Sequence, residues 1–263
     1  MRGSSLVALL ARALCLFFVA APAYAAETDS LAKSAGAYEL YRADVAALGQ
    51  SNFAAPGDLE HALDRIASYS ADDLTRGWIA YSALAASHAS SFAAGIASAR
   101  KASGKSAVAA ALRADATYAS RRRGYGDAAA AITSLAAADS RASRAAADAL
   151  ETAAPHLVWA DAMTNESRGE HLNALGSSPT LRESPRGGPA NVRRIASVAG
   201  LALLGDASAS KMLDDRSTRA CIVMEQLQFY QCVSVTRDAT EGALCMAAHA
   251  IRGVRHCLDL AAR

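Results

Sequence analysis

The sequence predicts an all-α protein, and three features of its composition and patterning support that prediction. Hydrophobic residues make up 52% of the 263 residues and aromatic residues only 6%, with alanine the commonest apolar type. Alanine has the best intrinsic helix propensity, whereas strands favour β-branched and aromatic side chains. Apolar residues recur at three- and four-residue steps, and no stretch alternates with period two over a strand's length. We therefore expect a multi-helix array or bundle that ends in a disulfide-stapled helical hairpin.

Residues 1–25 are predicted to be a secretory signal peptide. Arg2 and Arg12 precede the apolar run ALCLFFVAAPAYA, which ends in a small-residue A-Y-A site at Ala25. Its uncharged stretch of about 14 residues is short of the ~20 that a spanning helix needs, which disfavours an uncleaved anchor. Cys15 lacks the small preceding residue of a lipoprotein signal. We predict cleavage after Ala25, export to the periplasm and no transmembrane segment in the mature chain.

The mature chain is predicted to be electrically neutral. The 27 Lys and Arg residues lose Arg2 and Arg12 with the signal peptide, which leaves 25 of them against 25 Asp and Glu. A neutral protein has no bulk electrostatic attraction to nucleic acid or to an anionic membrane. We therefore expect no nucleic-acid partner. The expected partner is an unknown protein or a component of the cell envelope, and no cofactor is predicted.

Two helices are predicted before residue 70. The first spans Ser30–Leu48, with Tyr38 and Tyr41 on its apolar face and Gly49 as its stop. Asp58 is the predicted N-cap of the second helix, DLEHALDRIASY. The turn between them contains a Pro-Gly pair, which is typical of a break between helices.

Serine residues mark the predicted starts of the third and fourth helices. Ser70 and Asp73 resemble a capping box with Asp in place of Glu, and they precede a helical apolar pattern. The pair Ser90-Ser91 is expected to break that helix and to cap a fourth, which runs through Ala99. The next stretch, residues 106–154, is so rich in alanine that we expect a thin helical layer resting on a larger neighbour.

The R-R-R-G run that ends at Gly124 is predicted to link two alanine-rich helices. A run of three charges is more often a solvated corner than a binding patch. Pro155 should end the longer of these helices, and a further helix is predicted over His156–Ala174. Three prolines and three glycines in the 14 residues Gly176–Pro189 then predict a linker. This linker separates an Ala-rich helical domain, residues 26–175, from a second helical domain, residues 190–263, although the two halves could share one core.

The four cysteines of the mature chain predict the geometry of the C-terminal hairpin. In an exported protein, an even number of cysteines favours disulfides. Cys221 and Cys232 lie on one predicted helix, and Cys245 and Cys257 on the next. Eleven residues span ~16 Å along a helix, whereas a disulfide needs its Cα atoms within ~7 Å. Bridges within either helix are therefore excluded, and an antiparallel hairpin pairs Cys221 with Cys257 and Cys232 with Cys245. The crossed pairing would require parallel helices, for which the connecting loop is too short.

The second hairpin helix contains a geometric mismatch. Twelve residues turn an α-helix ~120° past whole turns, so Cys245 and Cys257 do not share one face. A kink or a register shift must absorb that angle. Asp214 or Ser217 is the predicted cap of the first hairpin helix, and the second begins near Asp238 or Thr240. The predicted apolar stripe of the second helix is Leu244, Ala248, Ile251, Val254 and Leu258.

Glu166 is the one candidate catalytic residue. The pair Glu166-Ser167 resembles that of lytic transglycosylases, which are helical enzymes that use a carboxylic acid on peptidoglycan. The resemblance implies that Glu166, half-buried and with a raised pKa, protonates a glycosidic oxygen. The Gly-Leu-Met-Gln-like motif that completes such a site is missing. Glu166 therefore supports an alternative function, a peptidoglycan-lytic enzyme, rather than the leading one.

No metal site is predicted. Cys245 and His249 are at i and i+4 on a helix and could share a metal with another ligand. In an oxidising compartment, however, the cysteines should pair with each other first.

Two segments resemble functionally uncharacterised, exported helical proteins of alphaproteobacteria. They are LTRGWIAYSAL, which begins at Leu74, and QFYQCVSV followed by ALCMAAHAI, which begin at Gln228 and Ala243. The resemblance implies a periplasmic protein with paired cysteines and brings no activity. We expect a protein of binding or scaffolding type.

Overall fold

The computed structural model describes residues 22–51, 53, 56–156 and 188–262, and every regular element in these ranges is helical. The predicted fold class, an all-α protein, is therefore confirmed. The described residues also contain two 3₁₀ turns, Ala119–Arg121 and Ala154–His156, and a π-helix, Met246–Gly253. The α-helices are α1 (Pro22–Leu48), α2 (Pro56–Ala67), α3 (Ala71–Ser87), α4 (Ser90–Ser103), α5 (Lys105–Ala114), α6 (Tyr125–Ala153), α7 (Pro189–Leu204), α8 (Ser208–Lys211), α9 (Arg216–Ser234), α10 (Ala239–Cys245) and α11 (Val254–Ala262).

Some helix starts are those expected from the sequence. The Ser70 side chain accepts a hydrogen bond from the backbone N–H of Asp73 at 3.0 Å, which confirms the predicted capping of α3. Asp238 caps α10, because it accepts from the N–H of Glu241 at 2.9 Å, and Glu241 in turn accepts from the N–H of Arg237, the residue before the cap, at 2.7 Å. These local bonds satisfy N–H groups that have no partner within their own helix.

Other predicted caps were wrong. Asp58 lies inside the first turn of α2, because that helix already begins at Pro56, a residue suited to the first helical position. The N-cap of α4 is Ala89, and Ser90 is the first helical residue. Asp215 caps α9 in place of the two predicted candidates, since its carboxylate accepts from the backbone N–H groups of residues 217 and 218.

Helix α3 is the central element of the fold. It packs against α1, α6 and α7, and also contacts α9. Trp78 on α3 is fully buried. Gly77 permits the close crossing with α1, because a Cβ atom there would lie 2.8 Å from the backbone oxygen of Ser34 and from Cβ of Tyr38. One hydrophobic core contains residues from both 31–154 and 192–262. The predicted linker lies almost wholly outside the described residues, so the division into two domains stays a prediction.

The expectation of a thin alanine-rich layer was wrong for α6. This helix contacts α1, α3, α7, α11 and the π-helix. Its stripe of Ile132, Ala136, Ala146, Ala147 and Leu150 is buried. Alanine contributes little apolar area per residue, but it lets neighbouring helices approach closely on several sides. The R-R-R-G run does link two helices, α5 and α6, as predicted.

Both predicted disulfides are present in the hairpin. Cys221 pairs with Cys257 and Cys232 with Cys245, and each pair has a Cα–Cα distance of 5.7 Å. The first pair joins α9 to α11, and the second joins the end of α9 to the end of α10. The antiparallel hairpin is thus closed near both of its ends.

The π-helix resolves the angular mismatch predicted for the second hairpin helix. A π-helix closes i→i+5 hydrogen bonds, with about 4.4 residues or roughly 80° per residue. Its eight residues lie between Cys245 and Val254. Eight steps of about 80° and four of about 100° make roughly 1,040°, which is close to three full turns. Cys245 and Cys257 therefore both face α9, which is the alignment that the predicted kink or register shift has to produce.

The same register shift overturns part of the predicted apolar stripe. Ile251, Val254 and Leu258 are buried, whereas Leu244 is 43% exposed and Ala248 is exposed. A stripe that is drawn at α-helical spacing through the π-helix therefore places Leu244 and Ala248 on the wrong face. No helix in the described part of the chain is long and apolar enough to cross a membrane.

Candidate functional site

The strongest candidate site is a groove between α1 and α6, called here the α1–α6 groove. It has a volume of about 310 Å³, near the lower end of the ~300–1,000 Å³ typical of small-molecule sites. Helix α1 contributes Tyr38, Glu39 and Arg42 to its lining, and α6 contributes Asp139 and Ser143. The groove exists because small side chains line both helices: Ala43 and Ala46 on α1, and Ala142 on α6.

A buried network of charged and phenolic groups forms one wall of the groove. The Asp139 carboxylate accepts from Arg42 Nε at 2.7 Å and from the Tyr38 hydroxyl at 2.9 Å. Arg255, on α11, donates to the Tyr38 hydroxyl at 3.0 Å and to Asp259 at 2.9 Å. Asp139 and Arg255 are 5% and 4% exposed. A buried charge is tolerated when it is paired and hydrogen-bonded, which both residues are.

The protonation states in the network follow from burial and from the neighbouring charges. Burial raises the pKa of Tyr38 far above its usual value, against the opposing effect of Arg255. Tyr38 therefore stays a neutral hydroxyl that donates to Asp139. Burial acts to lower the pKa of Arg42, but the hydrogen bond and charge of Asp139 outweigh it and raise that pKa. Arg42 is a permanent cation at the edge of the groove.

Arg42 is also held rigidly. Its Nη1 donates to the Tyr81 hydroxyl at 2.8 Å, and its guanidinium carbon lies 4.8 Å from the centre of the Tyr81 ring. A guanidinium has five N–H donors. Among the described residues, the Nη2 group of Arg42 makes no hydrogen bond. The arrangement offers a fixed, charged donor to an acceptor in the groove.

A second cleft, between α1 and α2, is a weaker candidate. It has a volume of about 290 Å³ and is lined by Asp44, Asp58, His61 and Arg65, among others. The Asp44 carboxylate already accepts from the Tyr69 hydroxyl at 2.7 Å and pairs with Arg65. Its charged groups thus largely neutralise one another within the protein.

The candidate residues proposed from the sequence have different outcomes. All four hairpin cysteines are in disulfides, so the sulfur of Cys245 is bonded to Cys232 rather than to a metal. His249 Nδ1 lies 3.3 Å from Glu225 Oε2, and His256 is exposed. The described ranges contain no group of three or more His, Cys, Asp or Glu side chains placed to hold a metal ion. Glu166 lies outside the described residues.

Sequence reasoning missed the charged members of the buried network. Asp139 lies in the alanine-rich stretch, for which no site residue was predicted, although it falls at helical steps with the buried Ile132, Ala136 and Ser143. Arg255 likewise sits among the buried Ile251 and Val254. The signal that the sequence offers for such a network is a charged residue at a position where the helical spacing predicts a buried apolar one. The partners could not be identified, because 97 residues separate Arg42 from Asp139 and 217 separate Tyr38 from Arg255.

Comparison of the whole chain with known protein families, curated proteins and solved structures finds no match. The resemblance to exported alphaproteobacterial proteins therefore stays a prediction from short segments.

Proposed function

We propose that this chain is an exported helical protein of binding or scaffolding type, which acts in the periplasm through the α1–α6 groove. The observation that carries the proposal is Arg42: a rigid cation with an available donor group at the edge of a groove of small-molecule size. Binding sites are typically concave and mostly apolar, with a few fixed polar groups that orient the ligand. The groove has that composition.

Export is supported by the predicted signal peptide and by the disulfides. Two disulfides in a chain of this size are typical of an oxidising compartment. They fix α9 and α11, and α11 supplies Arg255 to the network behind Arg42. The hairpin therefore acts as a support for the binding wall, because Arg255 helps to hold Tyr38 and Asp139 in place.

Native mass spectrometry of the mature chain, with both disulfides formed, tests the proposal. The protein is incubated with a small-molecule extract of bacterial cell envelopes, and bound species are detected. We expect a bound species that Arg42→Gln weakens and that Ala46→Trp removes. Ala46 lines the groove and is exposed, so tryptophan there blocks the groove without disturbing the buried network. Arg100→Gln is the matched control, because Arg100 is exposed on α4 and does not line the groove.

Two results would overturn the proposal. One is the absence of any bound species that responds to Ala46→Trp. The other is clearing of peptidoglycan in a zymogram that Glu166→Gln abolishes, which would support the alternative, a lytic enzyme with Glu166 as its general acid.

A further inference from the structure

We infer that the ligand of the α1–α6 groove is a small zwitterion, with the ammonium and carboxylate groups of an α-amino acid. This inference rests on the proposed binding function and names its ligand class. It follows from two side chains of opposite charge, Glu39 and Arg42, that line the same groove one helical turn apart.

Arg42 suits the carboxylate of such a ligand. Its Nε and Nη1 atoms are committed to Asp139 and to Tyr81, and these contacts fix the plane of the guanidinium. The remaining Nη2 group carries two N–H donors. A charge-assisted hydrogen bond from a preorganised guanidinium is among the stronger polar contacts in proteins, and little side-chain entropy is lost when the donor is already fixed.

Glu39 suits the ammonium group. It is exposed on α1 and lines the groove, and it takes part in no ion pair among the described residues. The carboxylate of Asp139 is not available for this role, because both of its oxygens accept hydrogen bonds from within the protein. A purely anionic ligand would meet repulsion from Glu39, and a purely cationic one would meet repulsion from Arg42. A ligand with both charges satisfies both residues.

The rest of the lining suits a modest apolar side chain. Ala43, Ala46 and Ala142 present methyl groups, and the volume of about 310 Å³ is near the lower end of the ~300–1,000 Å³ typical of small-molecule sites. Leucine is therefore a suitable probe, since it has both charged groups and an aliphatic side chain.

Calorimetric titration of the mature, oxidised chain at low salt tests the inference. The probes are L-leucine, 4-methylpentanoate, which lacks the amine, and 3-methylbutylamine, which lacks the carboxylate. We expect L-leucine to bind about tenfold or more tightly than either analogue, because each lost charge-assisted contact has a cost of that order.

The substitution Glu39→Gln gives the sharpest result. It should weaken L-leucine about tenfold, yet leave 4-methylpentanoate unchanged or bound more tightly, because a repulsive charge has been removed. Glu39 is exposed, so this variant is expected to fold normally. Ala46→Trp should abolish binding of every probe, and Arg100→Gln should change none.

Two outcomes would overturn the zwitterion inference: L-leucine that binds no better than 4-methylpentanoate, or a Glu39→Gln variant that weakens both equally. If no probe binds while the species from the envelope extract still depends on the groove, the ligand class is wrong and the binding function stands. If neither binds, both proposals fail.

Discussion

The C-terminal hairpin and the α1–α3–α6 centre are held together by opposite means. In the hairpin, two covalent bonds join residues 13 and 36 positions apart. In the centre, hydrogen bonds join Tyr38 and Arg42 on α1 to Asp139 on α6, 101 and 97 positions away, and Gly77 allows α1 and α3 to cross closely. Spacing along the chain can therefore specify which cysteines pair within a hairpin. A polar contact between residues that are distant in sequence depends instead on how the rest of the chain folds. Substitutions in each region measure how much that region contributes to the free energy of unfolding.

The largest effect is expected in the centre. Asp139→Ala should lower the free energy of unfolding by about 3–5 kcal/mol, because it removes the carboxylate that pairs with half-buried Arg42 and accepts from the Tyr38 hydroxyl, and leaves buried Arg255 with Asp259 alone. Urea unfolding monitored by circular dichroism measures this loss. Asp148→Ala is the matched control on the same helix, since the Asp148 side chain is 60% exposed in its pair with Arg252. Its effect should be at most about 1 kcal/mol, and equal losses in the two variants would show that the network is not an energetic centre.

Removal of the disulfides is expected to have the next largest effects. In the chain-entropy account, a closed loop of 36 residues contributes about 4 kcal/mol and one of 13 residues about 3 kcal/mol. The double variant Cys221→Ala/Cys257→Ala should therefore be less stable than Cys232→Ala/Cys245→Ala. The two effects will not add fully, because the loops are nested. The reverse order in urea unfolding would mean that packing around the cysteines, rather than loop closure, decides their contribution.

The third largest loss of stability is expected at a backbone contact in the corner between α5 and α6. Gly124 has φ +78°, and a Cβ atom there would lie 2.2 Å from the backbone nitrogen of Phe92. Gly124→Ala is expected to cost about 2–3 kcal/mol through strain and displaced backbone. Gly126→Ala, two residues later, is the control: it has open space and should stabilise α6 by up to about 1 kcal/mol. A thermal unfolding scan in which both substitutions had the same sign would contradict the contact.

The smallest predicted effect depends on pH. Burial acts to raise the pKa of Asp215, but hydrogen bonds from Asn191, Ser217 and Thr218 and the charge of Arg194 outweigh it, so the pKa is lowered. A carboxylate with a depressed pKa stabilises the fold above its unfolded value of about 3.9, and that stabilisation is lost as pH falls through the folded value. Asp215→Asn should cost about 1–2 kcal/mol at pH 7.

The measurement for Asp215→Asn is urea unfolding of both proteins at pH 7, 5 and 3. The difference between them should stay constant from pH 7 to 5 and shrink at pH 3, which is below the ~3.9 at which the carboxylate of the unfolded chain takes up a proton. A difference that does not change with pH would show that the side chain acts through shape and capping alone.

The disulfide pairing of the hairpin could be predicted from the sequence, whereas the α1–α6 groove could not. The pairing of the four cysteines followed from spacing, because a helix has a fixed rise and a disulfide a short reach. The need for a register shift followed too, but its form as a π-helix did not, and so Leu244 was assigned to the wrong face. The groove was not predicted, because its walls come from helices that are distant in sequence.

The sequence by itself determined the helical class, several helix ends and the disulfide connectivity. These depend on interactions among residues that are close along the chain, so intrinsic propensity, capping side chains and helix rise are enough. Only the tertiary structure decided that α3 and α6 are central, that Tyr38, Asp139 and Arg255 meet, and that Arg42 faces a groove beside Glu39. Those facts depend on how whole helices cross, and alanine-rich helices give few large side chains from which a crossing could be predicted.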